Sequence, residues 1–79
     1  MKKNITILAF GPVAEIIGKN SITINDVDNT DELVNQLEKI YPELKSANYA
    51  LAVNKKIINQ SAPLEDNAVV ALLPPFSGG

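Results

Sequence analysis

The sequence predicts an α+β domain in which one main helix packs across a mixed sheet of four or five strands. Short stretches rich in β-branched residues occur toward both ends of the chain, and one amphipathic helical segment lies between them. The last apolar stretch is uninterrupted, which is typical of a central strand covered on both faces. Seventy-nine residues suffice for a single small core.

Two strands and a short helix are predicted in the first third of the chain. Residues 4–10 are rich in β-branched side chains and predict the first strand. Pro12 and Gly18 suit the first position and the C-cap of a short helix over residues 13–17. Residues 21–25 alternate polar and apolar side chains and predict a second strand, antiparallel to the first.

The main helix is predicted to begin near Thr30 and to stop before Pro42. Thr30 can cap it directly, or Asn29 and Glu32 can form a variant of the capping box. Apolar residues then recur at helical spacing and predict one continuous buried stripe. This stripe comprises Leu33, Val34, Leu37, Ile40, Tyr41 and Leu44.

Three further strands are predicted after the helix. Residues 49–53 and 56–58 predict a pair joined by a tight turn at Asn54-Lys55, because Asn tolerates a positive φ. Leu64 should tuck inward from the following loop. Residues 68–73 predict the last strand, which we expect at the centre of the sheet and parallel to the first. This order of elements is that of the β-grasp, or ubiquitin-like, arrangement.

Composition excludes several classes of function. The chain has no Cys or His, so neither a thiol nucleophile, an imidazole base nor a metal site is expected. Nine acidic residues, seven lysines and no arginine give a net charge of -2, which argues against nucleic acid as a partner. The apolar start at residues 5–10 is too short for a signal peptide or a membrane span, so we expect a cytoplasmic protein with no membrane partner. Asp26, Asp28 and Asp31 are interpreted as turn and cap residues rather than a cation site.

The candidate functional segment is the C-terminal end. We expect residues 1–73 to form the domain and residues 74–79 to form a flexible projecting tail. Gly78 has no Cβ, so the backbone can enter a narrow channel. The carboxylate of Gly79 is unhindered but needs activation, most simply by ATP, before sulfur or nitrogen can attack it. Because the sequence lacks a phosphate-binding loop, the activating enzyme is expected to be another protein.

The residues that precede the glycine pair suggest how a partner would hold the tail. Pro74 and Pro75 favour an extended arm of low conformational entropy. Phe76 and Ser77 follow, and Phe76 offers an apolar anchor. A leftover apolar patch beside the tail would mark a docking surface, and its candidate residues are Leu8, Phe10 and Leu73.

The chain resembles the small, sulfur-carrier subunit of molybdopterin synthase, a ubiquitin-like sulfur-carrier family. The resemblance is strongest at Leu51-Ala52-Val53-Asn54, from Pro63 to Ala71, and at Pro74-Pro75-Phe76-Ser77-Gly78-Gly79. It implies that a partner adenylyltransferase, similar to ubiquitin-activating enzymes, uses ATP to adenylate Gly79. A sulfur donor protein would then convert the carboxylate to a thiocarboxylate.

The resemblance further implies a large catalytic subunit, joined to the carrier in a hetero-oligomer that is expected to be a heterotetramer. The tail would enter that subunit and pass sulfur to a cyclic pyranopterin phosphate precursor, and two transfers would build the dithiolene of molybdopterin. The carrier itself would be non-catalytic and would hold no permanent cofactor. Three alternatives stay open: a sulfur carrier for thiamine thiazole synthesis, a ubiquitin-like protein modifier, and a plain interaction module.

Overall fold

A computed structural model describes residues 3–74 and has the predicted order of strands and helices. The elements are β1 (Asn4–Ala9), α1 (Gly11–Ile17), β2 (Ser21–Asn25), α2 (Thr30–Ile40), a short 3₁₀-helix (Pro42–Ser46), β3 (Ala50–Val53), β4 (Lys56–Ile58) and β5 (Val69–Leu73). The strands form one five-stranded sheet in the order β2-β1-β5-β3-β4. The pair β1–β5 is parallel and the other neighbours are antiparallel, which confirms the mixed β-grasp sheet. Within the described range, no helix is long and apolar enough to cross a membrane.

The core lies between the sheet and α2. Because side chains alternate along a strand, the parallel register places the inward residues of β1 and β5 side by side. Ile7 pairs with Val70, and Ala9 pairs with Leu72. Leu33 and Leu37 of α2 are fully buried against this face. Burying one such aliphatic side chain contributes about 1.5–3 kcal/mol, so a handful of them dominates the stability of so small a domain.

The first strand is one residue shorter than predicted, and the short helix begins two residues earlier. The prediction of a strand over residues 4–10 is wrong at its end, because β1 stops at Ala9. Phe10 is extended, with φ -134° and ψ 152°, and stands at the N-cap of α1. The chain turns sharply at Gly11, whose φ of 56° lies in the left-handed region that glycine tolerates best.

The predicted buried stripe is broken at its C-terminal end. Ile40 is 52% exposed, so its assignment to the core is wrong. Tyr41 ends α2 as its C-cap, although its N–H still donates to the carbonyl of Leu37 at 2.7 Å. The residue before a proline is disfavoured in the α region, so Pro42 stops the helix as predicted. Leu44 is buried, but it reaches the core from the 3₁₀-helix rather than from α2.

The start of α2 uses the asparagine rather than the threonine as its cap. The Oδ1 of Asn29 accepts a hydrogen bond from the N–H of Glu32 at 2.9 Å. The Oε1 of Glu32 in turn accepts from the N–H of Asp28 at 2.8 Å. Thr30 is buried instead, and its Oγ1 accepts from the N–H of Ala62 at 3.0 Å. The capping-box variant is therefore confirmed, while Thr30 ties the helix to the loop before β5.

Replacing the cap residue should destabilise the domain measurably. We expect Asn29→Ala to lower the free energy of unfolding by about 1 kcal/mol, because the N–H of Glu32 loses its acceptor. Asn35→Ala is the matched control, since Asn35 is exposed within α2 and alanine is the better helix former. Urea unfolding followed by circular dichroism gives both values. Equal stabilities of the two variants would contradict this assignment of the cap.

Candidate functional site

The sheet face turned away from α2, called the outer face below, carries no charged side chain at any of its strand positions. The strand registers define its members. They are Asn4, Thr6, Leu8, Ser21, Thr23, Asn25, Ala50, Ala52, Ile57, Val69, Ala71 and Leu73. Sixteen charged residues lie in this chain of seventy-nine, so the whole of one sheet face without any of them is unusual for a surface that only meets water.

The centre of the outer face is an apolar row that crosses four strands. Leu8 pairs with Ala71, Ala71 pairs with Ala52, and Ala52 pairs with Ile57. Ile57 is 57% exposed and Val69, in the neighbouring row, is 37% exposed. The two small alanines leave a shallow groove of about 280 Å³, lined by Leu8, Ala52, Asn54, Lys55, Val69 and Ala71. Such a contiguous exposed apolar surface marks an interaction site more often than a plain surface.

The three predicted docking residues lie on one side of the molecule. Leu8 and Leu73 are half-buried members of the outer face. Phe10 is 45% exposed and follows Ala9 in an extended conformation, so alternation turns it toward the side of Leu8. The structure therefore brings these residues together, and their role in docking stays a prediction.

The groove is closed at one end by an asparagine that holds the start of β5. The N–H of Asn54 donates to the carbonyl of Val69 at 2.8 Å. Its Oδ1 accepts from the N–H of Val69 at 3.0 Å. Asn54 and Lys55 have φ values of 50° and 75°, which confirms the predicted tight turn. The turn could be predicted from the sequence. The hydrogen bond that ties Asn54 to Val69 could not, because it joins residues fifteen positions apart.

The tail leaves the domain beside the turn between β1 and α1. Pro74 is half-buried, and a Cβ placed on Gly11 would lie 3.9 Å from its ring carbons Cβ and Cγ. Pro74 therefore lies close to Gly11, at the distance at which an added methyl group would just touch its ring. The other predicted tail residues, Pro75, Phe76, Ser77, Gly78 and Gly79, lie outside the described residues.

A second groove, which sequence analysis missed, lies on the helix side between α2 and the β3–β4 edge. It encloses about 280 Å³ and includes Asp31, Val34 and Tyr49 among its lining residues. Burial of Tyr49, and secondarily the negative charge of Glu38, raises the pKa of the Tyr49 hydroxyl above its usual value of 10.0. Tyr49 therefore carries a neutral hydroxyl throughout the physiological pH range. No periodicity could have disclosed this groove, because it forms only when the short β4 leaves the flank of α2 uncovered.

Acidic residues of the predicted turn do not gather into a metal site. Asp28 pairs with Lys3, whose Nζ lies 3.1 Å from its Oδ1. Among residues 3–74, no group of three or more potential ligands is close enough to hold a metal ion. The cap bonds at the start of α2 are made by the side chains of Asn29 and Glu32 and by the backbone N–H of Asp28, so the interpretation of the three carboxylates as turn and cap residues stays a prediction.

The chain is similar along its whole length to a curated protein. It is 37% identical, over 86 aligned residues that cover all of both chains, to the "Molybdopterin synthase sulfur carrier subunit" of Dictyostelium discoideum. The structure also matches a chain of the complex of subunits 1 and 2 of the molybdopterin-converting factor from Helicobacter pylori. That match has a TM-score of 0.72 and 28% identity, and it covers 96% of this chain and 99% of the other.

A third similarity concerns the fold alone. The small archaeal modifier protein 1 of Methanosarcina acetivorans superposes with a TM-score of 0.82 at 18% identity, covering 100% of this chain and 99% of that one. A profile of the ThiS family matches residues 7–79, which is nearly the whole sequence. The β-grasp sheet, the full-length relative and this match agree, and the chain belongs to the ThiS family.

Proposed function

We propose that this protein is the sulfur carrier of a molybdopterin synthase and that the carboxylate of Gly79 is the atom group that carries the sulfur. The observation that supports this most is the 37% identity, over the whole length, to a protein named as that subunit. The similarity to a chain of the molybdopterin-converting factor supports it independently. The outer face adds a structural reason, since it offers an uncharged surface that ends where the tail begins.

The first chemical step activates the carboxylate. A carboxylate oxygen of Gly79 attacks the α-phosphorus of ATP, and the bond from that phosphorus to pyrophosphate breaks. The products are an acyl-adenylate and pyrophosphate. A partner adenylyltransferase supplies the catalytic groups and the nucleotide site for this step.

The second step places sulfur on the main chain. A sulfur nucleophile at the oxidation level of sulfide, delivered by a donor protein, attacks the carbonyl carbon of Gly79. The bond from that carbon to the oxygen of AMP breaks, AMP leaves, and a thiocarboxylate remains. The carrier needs no thiol side chain of its own for this chemistry, and its sequence has no Cys.

The third step takes place in the large subunit, into which the tail inserts. The sulfur of the thiocarboxylate forms a bond to a carbon of the pyranopterin precursor, whose oxygen substituent leaves as water. Hydrolysis of the resulting thioester returns the Gly79 carboxylate and leaves the sulfur on the pterin. The carrier acts here as a non-catalytic subunit, since the groups that polarise the precursor belong to its partner.

The outer face is the surface that docks on the large subunit. Leu73 begins the path from this face to the tail, and Leu8 and Phe10 extend the apolar area beside it. The strand positions of this face carry no charge, so burying their apolar side chains costs no ion hydration. Lys55, in the turn at the groove, can keep its ammonium group in water at the edge of the contact. Pro74, the first tail residue, lies close to Gly11 beside this face.

Thiocarboxylate formation can be followed directly by mass. The protein incubated with ATP, a sulfur source and the cognate adenylyltransferase should gain the mass of one sulfur minus one oxygen. The matched control is a variant that lacks Gly79, which should fold normally and gain nothing. Transfer to the pterin is then assayed with the large subunit.

The same experiment separates the competing functions. The activity of the cognate adenylyltransferase is first verified on a known carrier. An unchanged mass of this protein with that active enzyme would overturn the proposal. Sulfur transfer in the presence of a thiazole synthase, but not with the pterin-binding subunit, would instead assign the protein to thiamine synthesis. Attachment of Gly79 to lysines of many proteins would assign it to protein modification.

A charge placed on the outer face should weaken docking without unfolding the domain. We expect Val69→Lys to raise the Kd for the large subunit at least tenfold, because the lysine must be desolvated in an apolar interface. Ile40→Lys is the matched control, since Ile40 is also exposed but lies on α2. Isothermal titration calorimetry measures both affinities. Tight binding by Val69→Lys, or equal losses in the two variants, would contradict docking through the outer face.

A further inference from the structure

The groove between α2 and the β3–β4 edge has the composition of a peptide-binding surface. Its apolar side is formed by Val34, Leu51 and Ile58. Its lining also includes the polar residues Asn59, Gln60 and Ser61. Apolar side chains combined with a few polar groups are the usual make-up of a binding cleft. This groove faces away from the outer face, so one partner element could occupy it while another covers the sheet.

The α2 side of this groove is acidic. Asp31, Val34 and Glu38 are spaced by three and four residues, so they lie on one flank of the helix. Asp31 and Val34 line the groove itself, and Glu38 is close enough to Tyr49 to act on its hydroxyl. At a rise of about 1.5 Å per residue, the two carboxylates stand roughly 10 Å apart along the helix. The flank thus presents an acid, an apolar side chain and a second acid.

Among the described residues, no lysine forms an ion pair with these carboxylates. The residues that line the groove include no lysine. Within residues 3–74 the ion pair that forms is between Lys3 and Asp28, so neither Asp31 nor Glu38 takes part in one. Tyr49 lines the groove together with Asp31 and is close enough to Glu38 to sense its charge. Its aromatic ring can hold the stem or the charged head of a basic side chain.

The groove lies at the end of the sheet from which the tail departs. Ala50 lines the groove and pairs with Leu73, the last strand residue before Pro74. A protein that holds the tail in its active site therefore stands within reach of the groove. Asp31 lines this groove and Glu38 stands near Tyr49, so the charge on the α2 side complements a basic segment.

We infer that the groove between α2 and β4 receives a segment of the large subunit that bears lysine or arginine side chains, with Asp31 and Glu38 as their acceptors. This inference rests on the proposed function. It adds a polar contact at the groove beside α2 to the apolar contact at the outer face. The outer face supplies most of the buried area. The acidic flank steers the approach and sets the orientation in which the tail meets the active site.

The test compares two double variants in binding to the large subunit. Asp31→Asn with Glu38→Gln removes both carboxylates and nearly preserves their shapes. Glu43→Gln with Glu65→Gln removes the same charge from exposed sites elsewhere and is the matched control. We expect the first pair to raise the Kd about three- to tenfold at low salt, which corresponds to two exposed ion pairs. The loss should lie mainly in the association rate constant and should shrink as salt is added.

The outcomes separate this inference from the function on which it rests. Equal affinities and equal salt dependence of the first variant and the unmodified protein would overturn the acidic contact alone. An equal loss in the control pair would also overturn it, since the effect would then be one of net charge. Absence of any binding by the unmodified protein would overturn the proposed function and this inference together.

Discussion

The parallel pairing of β1 with β5 is the contact on which the rest of the structure depends. It joins segments more than sixty residues apart in sequence, in the register that sets Ile7 beside Val70. A parallel pair needs a long connection, and here that connection supplies α2 and the remaining strands. Since loop closure on this scale opposes folding, the pair forms only because both strands bury apolar side chains against α2. The same pairing determines where the tail emerges, beside the turn that follows β1.

The same register makes the two sheet faces chemically different. Inward positions of the central strands carry the large aliphatic residues, whereas the outward positions at the centre carry Ala52 and Ala71. These small outward residues leave a shallow groove on this face. The uncharged strand positions are one reason to propose that a partner covers it. The helix side shows the opposite composition, with Asp31 and Glu38 along one flank of α2. The apolar face and the acidic flank thus lie on opposite sides of the sheet, and the pairing of Ala50 with Leu73 places the groove beside the end of β5.

Local sequence pattern was sufficient to predict the order of strands and helices. It failed to predict where some elements end and which side chains are buried, because tertiary contacts determine both. The alternation in β2 and the turn at Asn54 are local signals, and both are found where predicted. The local pattern allowed two caps for α2, and the structure uses Asn29 rather than Thr30. Ile40 has the right spacing for the core, yet α2 ends there and leaves it exposed, because Pro42 redirects the chain. Phe10 reads as a strand residue until the left-handed turn at Gly11 is known. Spacing alone also left open which sheet face would stay uncovered.

One part of the candidate site could be predicted from the sequence and the other part could not. The apolar docking residues could be proposed from composition and proximity to the tail, because the last strand leads directly into it. The helix-side groove could not, since it depends on how short β4 is and on where Tyr49 packs. Its acids look like ordinary surface charges in the sequence. The register of β3 on β5 shows that the groove lies near the end of β5, since Ala50 lines it and pairs with Leu73.

On the proposed function, the folded domain docks on the large subunit and delivers the tail, and the tail alone does not suffice for fast sulfur transfer. Sulfur transfer should therefore be measured under single turnover, with the large subunit and either the whole thiocarboxylated protein or a synthetic thiocarboxylated peptide of residues 74–79. Both carry the same reactive group, so they differ only in the docking surface. The account predicts that the peptide transfers sulfur far more slowly at the concentration that saturates the rate with the whole protein. Equal rates for the two would contradict it.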